Sequence, residues 1–363
     1  MKINIIRIMF ITIFSLVIGA VSASADDPVN PDKMEREREG TNPAGDPLQM
    51  ALEGIRIAGG ISAGYFYASN PGEDTSEDAF LLSNFLVEIS SSDEDLPIGF
   101  VAAFGETSTP SLLDTPENNT DLDIEYASLT LTPVNNLSLE AGLLQPNAGF
   151  ENTYTYANEN IILGAVASQQ PYNAYGARAA YDVNGLSFWG GYFKERLDDE
   201  EYNSPDSAWE IGLSGSILEN CFSFYHYNIK DQRNLTGAVI ERTIDNMDIA
   251  FVIDYWRWNS AMKNFFGSSS AIGGAFYISP CFGRLSVPMR FEYIDQKKSQ
   301  IYIENPDTED IYTVTVSPTW HFNENAYIRA EAAYVKADGA FADEDGSIKD
   351  DRINMAIEAG FTF

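Results

Sequence analysis

The feature that most constrains this chain is a two-residue alternation of apolar side chains that recurs along most of its length. In the stretch IRIAGGISAGYFY, Ile55, Ile57 and Ile61 share one face, and Arg56 and Ser62 lie on the other. The same alternation returns in stretches that begin near residues 97, 137, 174, 284, 311 and 326, and in the last ten residues, NMAIEAGFTF. Period two with one apolar face indicates strands throughout. We therefore predict an all-β chain.

The connections between these strands alternate between short turns and long polar loops. Short turns fall at residues 133–136, 183–185, 218–220, 280–283 and 322–325, and long loops begin near residues 70, 107, 196, 231, 295 and 337. A soluble sandwich has no reason to keep that parity, whereas outer-membrane barrels place short turns in the periplasm and long loops outside. We predict a transmembrane antiparallel β-barrel over residues 51–363, in contact with the lipid of a Gram-negative-type outer membrane.

The N-terminus has the features of an export signal. Lys2 and Arg7 precede an apolar run over residues 8–21, and Ala23 and Ala25 give a small-x-small cleavage site. The apolar run is too short for an ordinary spanning helix, so a retained anchor is the less favoured alternative. Residues 1–25 are therefore predicted to be a signal peptide.

The stretch that follows the signal, residues 26–50, holds four prolines and mixed charges without an apolar face. Such composition cannot bury enough apolar surface to fold alone. We predict a flexible periplasmic segment, with a short partner-binding helix around residues 34–40 as the alternative.

The alternation of short turns and long loops also sets the strand number, because an even number of strands must lie between two consecutive short turns. Residues 221–279 are too many for two strands, and four fit with a turn near residues 254–258, which gives sixteen strands, with fourteen as the alternative. Cys221 and Cys281 both fall at predicted periplasmic turns. Sixteen strands place them three strand spacings apart, about 14 Å, which is too far for a disulfide, whereas fourteen bring them close to adjacency. A disulfide would therefore argue against sixteen strands.

The final strand has an aromatic residue at its end. In a closed barrel the last strand pairs with the first, so no edge is exposed. Phe363 would then lie at the periplasmic interface, where aromatic rings are favoured. It also resembles the C-terminal phenylalanine through which the barrel-assembly machinery recognises outer-membrane proteins.

The longest connection runs over residues 145–173 and is too apolar for a loop in water. We predict that it folds into the barrel and constricts the pore, with an outer lid as the alternative. The residues expected in this constriction loop are Phe150, Glu151, Tyr154, Tyr156, Asn158 and Asn160.

Alternation also identifies the side chains expected to face the lumen. Acids and bases are nearly balanced among them, so opposed charges would polarise the water path, although wall salt bridges are the alternative for any single residue. The predicted pore-lining residues are Arg56, Glu140, Arg178, Asp182, Arg290, Glu292, Arg329, Glu331, Arg352 and Glu358.

Several classes of function are disfavoured. The net charge of −32 without a clustered basic surface disfavours nucleic acid. The chain has two histidines, His226 and His321, no G-x-S-x-G and no Cys/His metal spacing, so neither catalytic residues nor a metal or cofactor is predicted. The acidic runs at residues 198–201 and 343–346 do not complete a calcium-loop signature.

Three stretches around the long connection resemble the putative beta-barrel porin-2 family, relatives of the phosphate-selective porins. They are GLLQPNAGFENTYTY, ANENI and PYNAYGARAAYD, and MRFEYIDQ and YIRAEAAY are similar to the family's R-x-E-Y strands. The resemblance implies a passive outer-membrane channel with Glu151 in the inward loop and Arg178, Arg290 and Arg329 on the lumen wall. Basic lumen residues would favour anions, but here acids far outnumber bases and no lysine cluster is present.

The predicted function is a water-filled channel for passive diffusion of small hydrophilic solutes and ions. Selection would rest on pore width and lumen charge, without a covalent step. The alternative is a non-conducting barrel that serves as an adhesin or surface-binding protein through its acidic loops. A homotrimer is a further expectation for a porin of this size, and the sign of the charge selectivity stays open.

Overall fold

The computed structural model describes residues 54–72, 77–91, 97–107, 109–114, 122–194, 207–230, 232–259, 270–297, 299–303, 305, 307–343 and 345–363. The predicted signal peptide and flexible segment lie outside these residues. The strand segments are β1 (Ile55–Ala68), β2 (Asp78–Ser91), β3 (Ile98–Thr107), β4 (Asp123–Val134), β5 (Leu137–Leu144), β6 (Ala174–Val183), β7 (Leu186–Lys194), β8 (Ser207–Ile217), β9 (Asn220–Ile229), β10 (Arg233–Ile244), β11 (Met247–Trp258), β12 (Ser270–Phe282), β13 (Leu285–Ser286), β14 (Met289–Asp295), β15 (Asp310–Val316), β16 (Thr319–His321), β17 (Ala326–Ala342) and β18 (Ile348–Thr362). Two short 3₁₀ turns lie at Thr155–Ala157 and Ala167–Gln169.

Two of the strands are interrupted at a proline, so the segments make sixteen strands. Pro288 lies between β13 and β14, and Pro318 lies between β15 and β16. β12 pairs with both β13 and β14, and β17 pairs with both β15 and β16. Proline has no N–H for the ladder, which breaks the strand locally without ending it. The prediction of sixteen strands is confirmed, and fourteen is wrong.

The sheet closes on itself. Every strand pairs antiparallel with its neighbours in chain order, and β1 pairs with β18 from Gly60↔Thr362 to Ala68↔Asn354. Gly59 and Phe363 continue this ladder by exchanging backbone hydrogen bonds of 2.9 and 3.0 Å. Closure leaves no unpaired edge, which a sheet in lipid requires.

The two ends of the barrel differ in their connections. At one end, which we call the short-turn end, two-residue turns join β4 to β5, β6 to β7, β8 to β9, β10 to β11 and β12 to β13. Asn136, Asn184 and Asp245 in three of these turns have positive φ, as tight hairpins require. The opposite, long-loop end carries the connection between β5 and β6 and the one between β14 and β15. The alternation read from the sequence therefore holds.

Three details of the predicted connections are wrong. Residues 231–246 were expected to be a long loop, but residues 233–244 form β10. The turn expected near residues 254–258 lies instead at Asp245 and Asn246, and residues 254–258 are the last part of β11. The loop expected from residue 337 is shorter, because β17 continues to Ala342 and β18 begins at Ile348.

The strands keep one face outward and one inward. In β14 the exposed residues are Phe291 and Tyr293, whereas Arg290, Glu292 and Ile294 are buried. Many outward aromatic residues lie near the long-loop end, among them Tyr175, Tyr192, Trp209, Tyr255, Tyr293, Tyr312 and Tyr334. Aromatic rings at that height are typical of a membrane interface.

Cys221 on β9 and Cys281 on β12 are not joined by a disulfide. β10 and β11 lie between these two strands. The separation of three strand spacings agrees with the sixteen-strand arrangement. Among the described residues, no helix is long and apolar enough to cross a membrane.

Candidate functional site

The connection between β5 and β6, residues 145–173, is a largely buried segment that touches the inner wall on many strands. We call it the inserted segment. Its residues contact side chains of β1, β2, β8, β11, β12, β14, β17 and β18 through hydrogen bonds. Because these strands lie around the whole circumference, the inserted segment lies inside the barrel. Its role as a constriction stays a prediction.

The centre of the inserted segment is bound to a buried ion cluster on β14. Arg290 is completely buried and donates to Glu151 at 2.6 Å and to the Ile162 carbonyl at 3.0 Å. Glu292 lies 3.3 Å from the same guanidinium as an ion pair. Glu151 also accepts from the Gly164 N–H at 2.7 Å. Charge-assisted bonds of this kind are stronger than neutral ones and fix the segment's backbone in place.

The second cluster consists of two wall carboxylates, Glu331 and Glu292, each of which accepts hydrogen bonds from two consecutive backbone N–H groups of the segment. Glu331 accepts from Ile161 at 2.5 Å and Ile162 at 3.1 Å. Glu292 accepts from the N–H groups of residues 165 and 166 at 3.1 and 2.8 Å. Buried backbone N–H groups need hydrogen-bond acceptors, and these carboxylates are the acceptors where the segment has no strand beside it. Asn160 adds a bond of 2.6 Å to Ser317.

A third cluster holds the part of the segment nearest the short-turn end. Arg329 donates to Glu358 at 2.8 Å and to the Asn158 carbonyl at 2.6 Å, and it also binds the Thr155 carbonyl. The Thr155 hydroxyl donates in turn to Glu358 at 2.8 Å. Tyr327 donates to Glu358 at 3.0 Å. Every polar group of this cluster is thus satisfied within the protein.

The fourth cluster lies on the opposite wall, where the inserted segment begins. Arg178 binds Glu210 at 2.5 Å and Glu140 at 3.2 Å, and it donates to the Gln145 carbonyl. The Glu140 side chain remains 28% exposed and also accepts from Ser128 at 2.8 Å. Glu140 is therefore the most water-accessible member of the four clusters.

Arg352, although predicted to line the pore, binds a different loop. Its guanidinium donates to the carbonyls of Leu113, Asp114 and Asn70 at 2.9, 3.1 and 2.9 Å. It also lies over the Phe341 ring, 4.4 Å from the centroid, as a cation–π contact. Residues 109–114 thereby pack inward as well.

The two remaining predicted pore-lining residues lie apart from these clusters. Arg56 is exposed near the start of β1, and Asp182 is exposed near the end of β6, both at the short-turn end. Both share the inward face of their strand with buried or half-buried neighbours. The structure therefore brings together Glu140 with Arg178, Arg290 with Glu292, and Arg329 with Glu358, but places Arg56 and Asp182 at the mouth.

The aromatic residues of the inserted segment pack against the wall. Phe150 packs against Tyr277 with ring centroids 4.6 Å apart and the ring planes tilted by 52°. Tyr154 and Tyr156 stack on each other at 5.8 Å in a small cluster with Leu86, whose other members include Ala103 and Tyr327. Burial raises the pKa of both segment phenols, so they stay neutral.

An apolar cluster in the long-loop half of the lumen was not expected from the sequence. Inward side chains of several strands pack there against Val166 of the inserted segment, Leu112, Ile301 and Tyr302. The buried wall residues include Phe66, Phe193, Tyr227, Leu235, Val252, Trp256, Ile294 and Val335. Three loops therefore fold inward: residues 109–114, the inserted segment and the loop after β14.

Arg233 is a further inward-facing residue that the sequence analysis does not predict, because it falls in the stretch predicted to be a loop. It lies on the inward face of β10, 4.6 Å from the Trp256 ring centroid, and donates to Gln169 of the inserted segment at 3.2 Å. The alternation of β10, with buried Leu235, Gly237 and Val239, could have revealed it.

A cavity of about 780 Å³ opens at the short-turn end beside the inserted segment. We call it the chamber. Its polar lining includes Glu159 and Asn160 from the segment and Cys221, Glu241 and Asp248 from the wall, and its apolar lining includes Phe150 and Tyr277. Such a space admits water and small solutes.

The two histidines offer no catalytic arrangement. His226 contacts the Thr236 hydroxyl at 2.8 Å and the Trp209 ring, and His321 lies 3.4 Å from the Ser286 hydroxyl without an orienting acid. Over the described part of the chain, no group of His, Cys, Asp and Glu could hold a metal ion.

Comparison with known families agrees with the closed barrel. The family model described as "Putative beta-barrel porin-2, OmpL-like" matches residues 54–363. The chain belongs to this porin family. The match covers all sixteen strands and the residues of the inserted segment. It supports an outer-membrane channel in place of an enzyme, and the recognition from sequence motifs is confirmed. No curated protein matches the sequence.

Solved structures of outer-membrane proteins share the fold of this family member. OmpT, an outer membrane protein of Vibrio cholerae, superposes with a TM-score of 0.60 at 10% identity, over 88% of this chain and 100% of its own. An anion-selective porin from Comamonas acidovorans gives 0.59 at 8% identity, over 85% and 99%. The outer membrane channel DcaP of Acinetobacter baumannii gives 0.54 at 12%, over 88% and 100%. At these identities the likeness concerns the fold alone.

Proposed function

We propose that this porin-family barrel is a passive channel for small hydrophilic solutes and ions across an outer membrane. One observation carries the proposal: the inserted segment leaves part of the inner wall uncovered. In the short-turn half of β4 to β8, inward residues such as Thr130, Glu140, Ala180 and Ser214 remain half-buried. Toward the long-loop end of the same strands, inward residues such as Leu144, Phe193 and Ala208 are buried, as are the inward residues of β14, β15 and β17. We infer that water follows this half-buried part of the wall and reaches the chamber.

In this mechanism the inserted segment sets the width and the remaining lumen charges set the selectivity. The segment is fixed by ion clusters, so the pore needs no moving part and no covalent step. Solutes cross beside Glu140 and through the chamber. The low-dielectric wall there focuses the electric field of the lumen charges, which strengthens their effect on a charged solute. The predicted constriction residues act in this scheme as the segment's packing and anchoring groups.

Four further features belong to the proposal: two rest on the N-terminal sequence, one on the resemblance of the last strand to other outer-membrane proteins, and the homotrimer on what is common among porins of this size. Residues 1–25 are removed on export, and residues 26–50 remain as a flexible periplasmic segment. The last strand with Phe363 is recognised by the barrel-assembly machinery. Three copies associate in the membrane as a homotrimer.

The test is single-channel current from the refolded protein without residues 1–25 in a planar bilayer. Ohmic steps whose reversal potential follows a salt gradient are expected. Correct folding is established beforehand by heat-modifiable migration in a gel. Silence from folded protein would refute the channel.

The apolar cluster in the long-loop half favours a second candidate, a non-conducting barrel that binds partners through its acidic loops. Three inward loops seal part of the lumen there with side chains such as Leu112, Val166 and Tyr302. Silence in the bilayer, combined with binding of the folded barrel to a surface ligand, is the result this candidate predicts.

A further inference from the structure

Within the described strands, every inward-facing arginine above the short-turn mouth donates to a loop or to the inserted segment. Arg178, Arg290 and Arg329 bind segment carbonyls, Arg233 binds Gln169, and Arg352 binds the loop at residues 109–114. Arg290 is completely buried, and the Arg329 side chain is 3% exposed. These cations hold loops: Arg290, Arg329 and Arg352 are buried, and Arg178 and Arg233 are half-buried.

Two of these arginines, Arg178 and Arg290, each lie between two carboxylates, whereas Arg329 pairs with Glu358 alone. Arg178 lies between Glu140 and Glu210, and Arg290 lies between Glu151 and Glu292. With ionised side chains, each of these clusters has a net charge of minus one. The exposed member of the first pair, Glu140, is the carboxylate that lies beside the proposed water path.

The chamber has the same sign. Glu159, Glu241 and Asp248 contribute carboxylates to its lining, and Glu241 and Asp248 are exposed on the inward faces of β10 and β11. The cation in the lining, Arg242, is paired with Glu219 at 2.9 Å. Arg56 and Asp182 at the same mouth carry opposite charges, so a solute that enters the chamber meets the negative potential of the chamber's own lining.

From these three observations we infer that the channel selects cations, and that the chamber concentrates them. The inference rests on the proposed channel function and gives its solute class: small inorganic cations and small organic ammonium ions. It runs opposite to the anion preference that basic lumen residues would imply. The decisive difference is that the arginines are bound to loops, so the charge left for solutes is that of the carboxylates.

Cys221 offers a probe already present in the chamber. Its thiol is exposed, lines the chamber and lies 3.3 Å from the Ser216 hydroxyl. The experiment uses the full mature chain with Cys281→Ser, so that Cys221 is the single thiol. Its rate of modification is measured by mass spectrometry with positively and negatively charged methanethiosulfonate reagents of similar size. Each rate is divided by that of free cysteine.

The cationic reagent is expected to react several-fold faster than the anionic one on this normalised scale. The preference should fall in the double variant Glu241→Gln with Asp248→Asn, and fade in molar salt as screening shortens the range of the field. An effect of these substitutions on the thiol itself is common to both reagents and cancels in the ratio. A double variant remote from the chamber, Glu309→Gln with Asp307→Asn at the long-loop end, removes the same charge and should keep the ratio.

The reversal potential in a potassium chloride gradient is the second measurement. Wild-type protein should show cation selectivity, reduced in the chamber variant and kept in the remote one. Anion selectivity, or a thiol ratio at or below one, would overturn the inference while leaving a channel in place. Absence of current would refute the channel instead, and the thiol ratio would still decide whether the chamber concentrates cations.

Discussion

At the scale of the residue, burial decides how much an ion pair contributes. Arg290 is fully buried between Glu151 and Glu292, so its removal leaves two carboxylates without a cation. We predict that Arg290→Met lowers the free energy of unfolding by about 3–5 kcal/mol, the cost typical of breaking a buried pair from one side. Urea unfolding of the folded barrel, followed by tryptophan fluorescence, measures it.

The matched control is Arg242→Met. Arg242 pairs with Glu219 at 2.9 Å, but the two side chains are 42% and 81% exposed. Exposed pairs contribute about 0–1 kcal/mol, so this variant should unfold almost as wild type does. Equal losses in the two variants would contradict the anchoring role of Arg290.

Sequence alternation could assign most of these charges to the inward face, but it could not assign their partners. Arg290 and Glu292 are two residues apart on one strand and were expected to share a face. The bonds from Arg290 to Glu151 and to the Ile162 carbonyl join positions more than a hundred residues apart, and the alternation along one strand contains no such information. Whether a charge meets water or a loop is set by the path of the inserted segment.

At the scale of the element, the inserted segment fits closely over the β14 cluster at Gly164. A Cβ at this position would lie 2.7 Å from Glu292 Oε1 and 3.0 Å from Glu151 Oε1. We predict that Gly164→Ala shifts the segment, costs about 1–3 kcal/mol through overpacking and changes the single-channel conductance. Unfolding and bilayer recordings on the same preparation test both effects.

Gly274→Ala is the control for the added methyl group. On β12 the nearest heavy atom to its Cβ would be the Val252 carbonyl oxygen at 3.7 Å, an ordinary contact. Stability should change by no more than about 0.5 kcal/mol, and the conductance should stay at the wild-type value. A Gly164→Ala variant that also conducts as wild type does would show that the segment does not set the pore width.

The strands that sequence reasoning misplaced share one physical cause. In β10 and β11 the inward face is apolar, with Leu235, Val239 and Val252 in the lumen cluster, so both faces carry apolar residues and the period disappears. Asp254 then looks like a turn residue. It is in fact buried on the inward face, where Tyr225 donates to it at 2.6 Å and Gln170 at 2.8 Å.

At the scale of the whole molecule, closure of the barrel follows from one strand pair, β1 with β18. Sequence reasoning reached this pairing because an alternating last strand needs a partner and a sheet in lipid cannot leave an edge. Within that pair Ala63 lies opposite Ala359, and both are small side chains on the outward face. Cross-strand partners have Cα atoms about 4.5–5.5 Å apart, within the range that a disulfide bridges.

We predict that Ala63→Cys with Ala359→Cys, in a chain with Cys221→Ser and Cys281→Ser, forms a disulfide on mild oxidation. The bond would join the first strand to the last, so the oxidised chain is a covalent loop after heating and migrates differently in a denaturing gel until it is reduced. The control, Ala63→Cys with Ala141→Cys, places the second thiol on β5, four strands away or roughly 19 Å, and should not crosslink within one molecule. Crosslinking of the control alone would mean that β1 does not close the barrel against β18.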